Sequence, residues 1–202
     1  MVTKEMIKHI PKVDLHDHLD GGMRPETIIE LAKEYEVELP FVEPKKLADW
    51  FHRGADQKNL GLYLKGFDVT LSVLQTREAL ERAAFEAMED RAKDNIVYTE
   101  IRFAPIQHLK DGLNLEAVVE SVLSGLERGK KKTGVHYGVI ICAMRHQNAA
   151  VSLEAAELAV AFRSRGVVGF DIAGDEFGHP PKRHLDAFQY IRNKNFNISH
   201  KD

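Results

Sequence analysis

The sequence predicts an α/β protein of the TIM (β/α)8-type barrel class, and three observations carry that prediction. Apolar strand-like runs alternate with stretches of helical periodicity along the chain, the pattern of a parallel sheet with helical crossovers. Residues suited to chemistry fall where the strand patterns finish, at His16, His18, Arg145, Gly174, Asp175 and His200, as they do in such barrels. No G-x-G-x-x-G or G-x-x-x-x-G-K-[ST] turn is present to announce a doubly wound sheet. A full barrel needs eight strands and about 250 residues. With 202 residues and about five strands, the chain is expected to form one incomplete domain over 1–202, truncated after the fifth strand.

The first strand is P-K-V-D-L-H-D-H-L-D-G, Pro11 to Gly21. Alternation places Asp14, His16 and His18 on one face and Val13 and Leu15 on the other, with Gly21-Gly22 as the stop. Two imidazoles on one face can share a cation. Taken alone, H-x-H reads first as a pair of satisfied strand-end histidines. Pro25 then opens a helix whose apolar face is Ile28, Ile29, Leu31, Ala32 and Tyr35. Leu47, Trp50 and Phe51 suggest a short helix, and residues 60–74 a longer one. There Tyr63, Phe67, Leu71 and Leu74 recur at steps of three and four, as core packing or as a lid.

Residues 77–93 read as a strong helix, followed by the strand I-V-Y-T-E-I-R-F-A at 96–104. Its second face carries Tyr98, Glu100 and Arg102, expected inside a polar interior as a buried Glu100–Arg102 salt bridge. A helix over 115–132 ends in a basic run that suits its C-terminal dipole. V-H-Y-G-V-I-I-C-A-M, 135–144, is a continuous apolar strand. A helix over 152–165, closed by Gly166, leads to the strand 167–176, with Gly169, Asp171 and Ala173 on one face. A helix begins at Pro180-Pro181, and Phe196 to His200 starts the fifth strand.

Hydrophobic content of 44%, charged content of 29% and a net charge of -3 describe a globular chain without a polybasic footprint. Nucleic acid is therefore not indicated as a partner. No run approaches the roughly 18 apolar residues of a membrane span, so the reading is a soluble, unexported, cytoplasmic protein. The single cysteine, Cys142, sits in an apolar run and reads as a buried thiol.

Five motifs in order resemble the adenosine deaminase family of metal-dependent amidohydrolase barrels. They are P-K-V-D-L-H-D-H-L-D-G at 11–21, Y-L-K-G-F-D at 63–68, I-V-Y-T-E-I-R-F-A-P at 96–105, C-A-M-R-H-Q at 142–147 and D-I-A-G-D-E at 171–176. The resemblance implies zinc-dependent hydrolysis of adenosine, or a close aminopurine such as adenine or AMP, to the deaminated purine and ammonia. It implies His16, His18 and His200 as zinc ligands, His18 also as a substrate-binding residue, Asp20 at the ribose, and the Gly174 backbone at the purine. Tyr63 and Phe67 would form the apolar wall, bordered by Met144 and Arg145. The zinc-cysteine nucleobase deaminases are excluded, because one cysteine cannot supply their site.

The family pattern continues from the third histidine as H-A-G-E, whereas here His200 is followed by Lys201 and Asp202. The proton-transferring glutamate is thus not among these residues, and no catalytic residue is assigned. A zinc site normally takes at least three protein ligands. The expectation is a chain inactive by itself, with the alternative of a non-catalytic fragment that associates with a full-length relative through its open strand edges.

Overall fold

The computed structural model describes residues 2–56 and 60–199, the side chains of 60–62 excepted. Four strands form one parallel sheet in the order β1-β2-β3-β4: β1 (Lys12–His18), β2 (Ile96–Phe103), β3 (His136–Met144) and β4 (Val167–Ala173). Each crossover steps the same way, without the reversal that creates the crevice of a doubly wound sheet. The arrangement is the wall of a (β/α) barrel.

Among the described residues the expected fifth strand is a single parallel bridge, Phe170 to Ile198. Phe170 N–H donates to Asn197 O (3.0 Å) and Ser199 N–H to Phe170 O (2.9 Å), so the segment lies beside β4 in strand order. His200 falls outside the described residues.

Eight α-helices accompany the strands among the described residues: α1 (Lys4–His9), α2 (Pro25–Glu34), α3 (Pro44–Ala55), α4 (Leu60–Val73), α5 (Arg77–Lys93), α6 (Leu115–Thr133), α7 (Ala149–Ala161) and α8 (Leu185–Asn193). The sequence reading misses α1, which buries none of its residues and so shows no apolar stripe. Helix α7 starts earlier than its apolar pattern because Asn148 caps it, accepting from Val151 N–H. It stops at Ala161, and a 3₁₀ turn at Arg163–Arg165 leads into Gly166. Strand β4 ends at Ala173, three residues short of the expected end.

The core lies between sheet and helices. Ile101 and Phe103 of β2, Val139 and Ile141 of β3, and Phe170 and Ile172 of β4 point outward into it, with Leu80, Met88, Val122, Leu126 and Ile191 from the helices. A smaller cluster of Ala104, Ile140, Cys142 and Met144 lies on the other face, the barrel interior.

Register corrects the expected facing of β1. Val13 pairs with Tyr98 and Asp14 with Thr99, but Asp17 pairs with Ile101 and His18 with Arg102, so β1 holds one extra residue, a β-bulge, between Asp14 and Asp17. Paired residues of a parallel ladder share a face. Val13 therefore belongs to the interior face with Tyr98 and Arg102, while Asp14 lies outward with Thr99. Val13 (60%) and Leu15 (54%) are exposed.

Candidate functional site

The bulge arranges the end of β1. Asp14 Oδ1 accepts the His16 N–H at 3.2 Å, and Arg91 of α5 forms ion pairs with both Asp14 and Asp17. His16 and His18 then meet, with ring centroids 5.5 Å apart. Beyond them the N–H groups of Gly21 and Gly22 both donate to His18 O at 3.1 Å, which turns the chain out of the strand.

The interior beside these rings is polar and buried. Arg102 Nη1 stands 2.8 Å from His16 Nε2 and 2.7 Å from Asp171 Oδ2, with Arg102 and Asp171 at 4% and 1% exposure. Arg102 was expected to pair with Glu100. Instead Glu100 accepts from the Tyr98 hydroxyl (3.0 Å), while the long Arg102 guanidinium reaches across β3 to Asp171 of β4. Asp171 is a buried acid of this polar interior to which the sequence assigns no role. Its signal was an acid between small residues on a buried strand.

These surroundings set the charges. Burial, then the Arg102 cation and then His16 pull the His18 pKa down to about 4, so its ring is neutral at neutral pH. Burial pushes Asp20 up to about 6, against opposing backbone hydrogen bonds and Arg102. Asp20 is 4% exposed, its Oδ1 has no hydrogen-bond partner, and that oxygen lies 3.9 Å from His18 Nδ1. Burial likewise raises the Cys142 thiol to about 12, which bears out the inert buried cysteine.

A cavity of about 660 Å³ opens from Asp20 and Gly21 between α2, α3 and α4, lined also by Ile28, Trp50, Tyr63 and Phe67. Phe67 meets His18 edge-on at 5.7 Å and Tyr63 at 5.5 Å. Helix α4 thus combines the two alternatives weighed for it. Tyr63 (44% exposed) and Phe67 border the cavity, and Leu71 and Leu74 enter the core. Gly21 permits the approach, since a Cβ there would lie 3.1 Å from His18 Cβ and 3.4 Å from the Phe67 ring.

Met144, Arg145 and Gly174 form a second group, at the ends of β3 and β4, and do not line that cavity. Arg145 is buried, donates its N–H to Ala173 O (2.8 Å) and pairs with Glu176 (3.0 Å). Gly174 has φ +102°, a conformation natural to glycine, and a Cβ there would stand 3.4 Å from Met144 Cε.

Among the described residues no group of three or more His, Cys, Asp or Glu is placed to hold a metal. Two do suit one: His16 and His18 are adjacent, with the His16 Nε2 lone pair turned to the interior and His18 neutral. The orphaned Asp20 oxygen beside them calls for a donor that the described residues do not supply.

A barrel-wall sheet with paired imidazoles where its first strand ends defines the class as an α/β protein of the (β/α)-barrel fold. Solved structures agree on the fold. An amidohydrolase from Burkholderia ambifaria with bound Zn superposes with a TM-score of 0.86 at 22% identity, over 98% of this chain and 54% of that one. Arabidopsis N6-mAMP deaminase gives 0.82 at 26%, over 96% and 59%. Adenine deaminase from Arthrobacter aurescens gives 0.81 at 24%, over 93% and 56%.

The family model for adenosine deaminase matches residues 11–201, and the chain belongs to that family. It is 51% identical to adenosine deaminase 1 of Streptomyces coelicolor over 199 residues, 96% of this chain and 50% of that protein. Adenosine deaminase of Mycobacterium sp. (strain KMS) is 50% identical over 200 residues, 96% and 55%. The chain spans about half the length of the curated relatives it matches. No helix among the described residues is long and apolar enough to cross a membrane.

Proposed function

We infer that the chain carries the nucleoside-facing half of a zinc-dependent adenosine deaminase, which converts adenosine and water to inosine and ammonia. The observation that carries this reading is the buried Asp20 oxygen at the cavity, without a hydrogen-bond partner among the described residues and 3.9 Å from His18 Nδ1. A zinc ion, when bound, lowers the pKa of water and so supplies hydroxide near neutral pH. His16 and His18 hold that ion, with His200 as a third donor. Asp20 accepts a ribose hydroxyl, which satisfies its orphaned oxygen. Tyr63 and Phe67 cover the base and exclude water, while the Gly174 backbone meets the purine edge where no side chain intervenes. Met144 and Arg145 border this end of the pocket.

A second reading is an aminopurine nucleotide or free base. It draws on the solved relatives named for adenine and N6-mAMP, and on His52, Arg53 and Lys65 along the cavity lining, which suit a phosphate. The domain over 1–202 is incomplete in this proposal, and the 202 residues alone do not turn over.

Ammonia release is measured with zinc, first from the chain alone and then after adding the C-terminal half of the Streptomyces coelicolor relative. The expected result is none above a blank for the first and adenosine-dependent release for the second, abolished by H16A. Release from adenine or AMP in preference to adenosine would replace the substrate. Silence of a complex shown to have assembled would sink the reading.

A further inference from the structure

The Arg102 guanidinium does more than neutralise a buried acid. One nitrogen, Nη1, hydrogen-bonds the His16 ring, 2.8 Å from Nε2 and 3.4 Å from Nδ1, and forms an ion pair with Asp171 Oδ2 at 2.7 Å. All three groups lie on the barrel interior, and both charged partners are nearly free of solvent. The lone pair that Arg102 occupies is the donor a divalent cation would need at His16. A cation taking it must break this hydrogen bond and settle beside a buried positive charge, where the low local dielectric makes repulsion strong.

We propose that Arg102 is a resident cation that competes with metal for His16 Nε2, holding the ring aimed into the interior when the site is empty and weakening metal affinity. When metal binds, the guanidinium keeps its contact with Asp171 and releases His16, so the buried acid is never left without a counter-charge. This is a positioning role, exerted through His16. It rests on the metal assignment of His16 made above.

The test uses the 202-residue chain. Because R102M takes away the cation that Arg102 sets beside the buried Asp171, R102M/D171N is prepared beside it, and near-ultraviolet circular dichroism selects the folded variant. In the metal-free chain, nitrogen-15 spectra of the histidine rings should show the His16 Nε2 resonance displaced from its wild-type position in the variant. R102K, which keeps charge and donor, should restore the wild-type signal. Competition against a chromophoric chelator should then show zinc bound at least about tenfold more tightly by the folded variant than by wild type. An unmoved His16 resonance, or zinc affinity unchanged or weakened, overturns the proposal and leaves the metal site standing. Zinc bound by wild type no more tightly than by H16N overturns the metal assignment, and this proposal with it.

Discussion

At the scale of single residues the site is a set of buried groups with opposed acid–base preferences. Asp20 is held near 6 in the folded chain against about 3.9 when unfolded, so its contribution to stability is full below pH 4 and lost as pH rises through 6. Ionised at neutral pH, it costs on the order of 3 kcal/mol. His18 and His108 run the other way. Burial lowers each to about 4 from about 6.5, so their contribution is present above pH 6.5 and lost as pH falls through 4. The opposed slopes cancel in part between pH 4 and 6.5. D20N is therefore expected to melt higher than wild type at pH 7.5, and to lose stability on acidification more steeply, as measured by thermal unfolding across that range. A parallel decline in the two proteins would show that Asp20 is not the opposing group. The same substitution should weaken nucleoside binding, since the amide offers the ribose a poorer acceptor. A site residue whose removal stabilises the fold is retained for what it binds.

At the scale of elements, the outer layer depends on one tight helix pair. Helices α5 and α6 approach so closely at Gly125 that an added Cβ would lie against the Glu81 carbonyl and 2.8 Å from Ala84 Cβ. Backbone cannot yield there. G125A is expected to destabilise the chain by about 1–3 kcal/mol, through overpacking and against the usual helix preference for alanine. Loss of the α6 cap in N114A, which removes the acceptor for Ala117 N–H, should cost about 1 kcal/mol by denaturant titration. A neutral G125A would mean that the helices separate freely. Helix α5 also reaches the site, because Arg91 binds Asp14 and Asp17 behind the bulge that brings the histidines together. Periodicity located α5 and β1 from the sequence, yet the bulge was not legible there, since it depends on how β1 registers against β2.

At the scale of the whole molecule, the interior face of the sheet is only partly covered. Val13 belongs to that face, Val13 and Leu15 are more than half exposed, and β1 has a strand partner on one side alone among the described residues. Exposed apolar residues beside an open strand edge mark a surface made for further chain. The C-terminal half of a curated relative is expected to bind there, and V13D/L15D to abolish that binding while leaving the melting of the chain itself nearly unchanged. Size-exclusion chromatography of the mixture reads the first outcome and circular dichroism the second. Association that survives both charges would place the contact elsewhere.

The chain's local chemistry determined the alternation of strand and helix, the barrel class, the histidine pair with its glycine stop, the buried thiol and the glycine at the end of β4. Each of these is written in neighbouring residues, through periodicity, turn preference or hydropathy. Tertiary structure alone decided the rest. Arg102 takes Asp171 and His16 in place of Glu100, Val13 turns inward, and Trp50 joins Tyr63 and Phe67 around the cavity. These depend on strand register and on helices distant in sequence. One inserted residue reverses which side of a strand faces the interior, and a long guanidinium pairs with whatever acid the neighbouring strands bring within its reach.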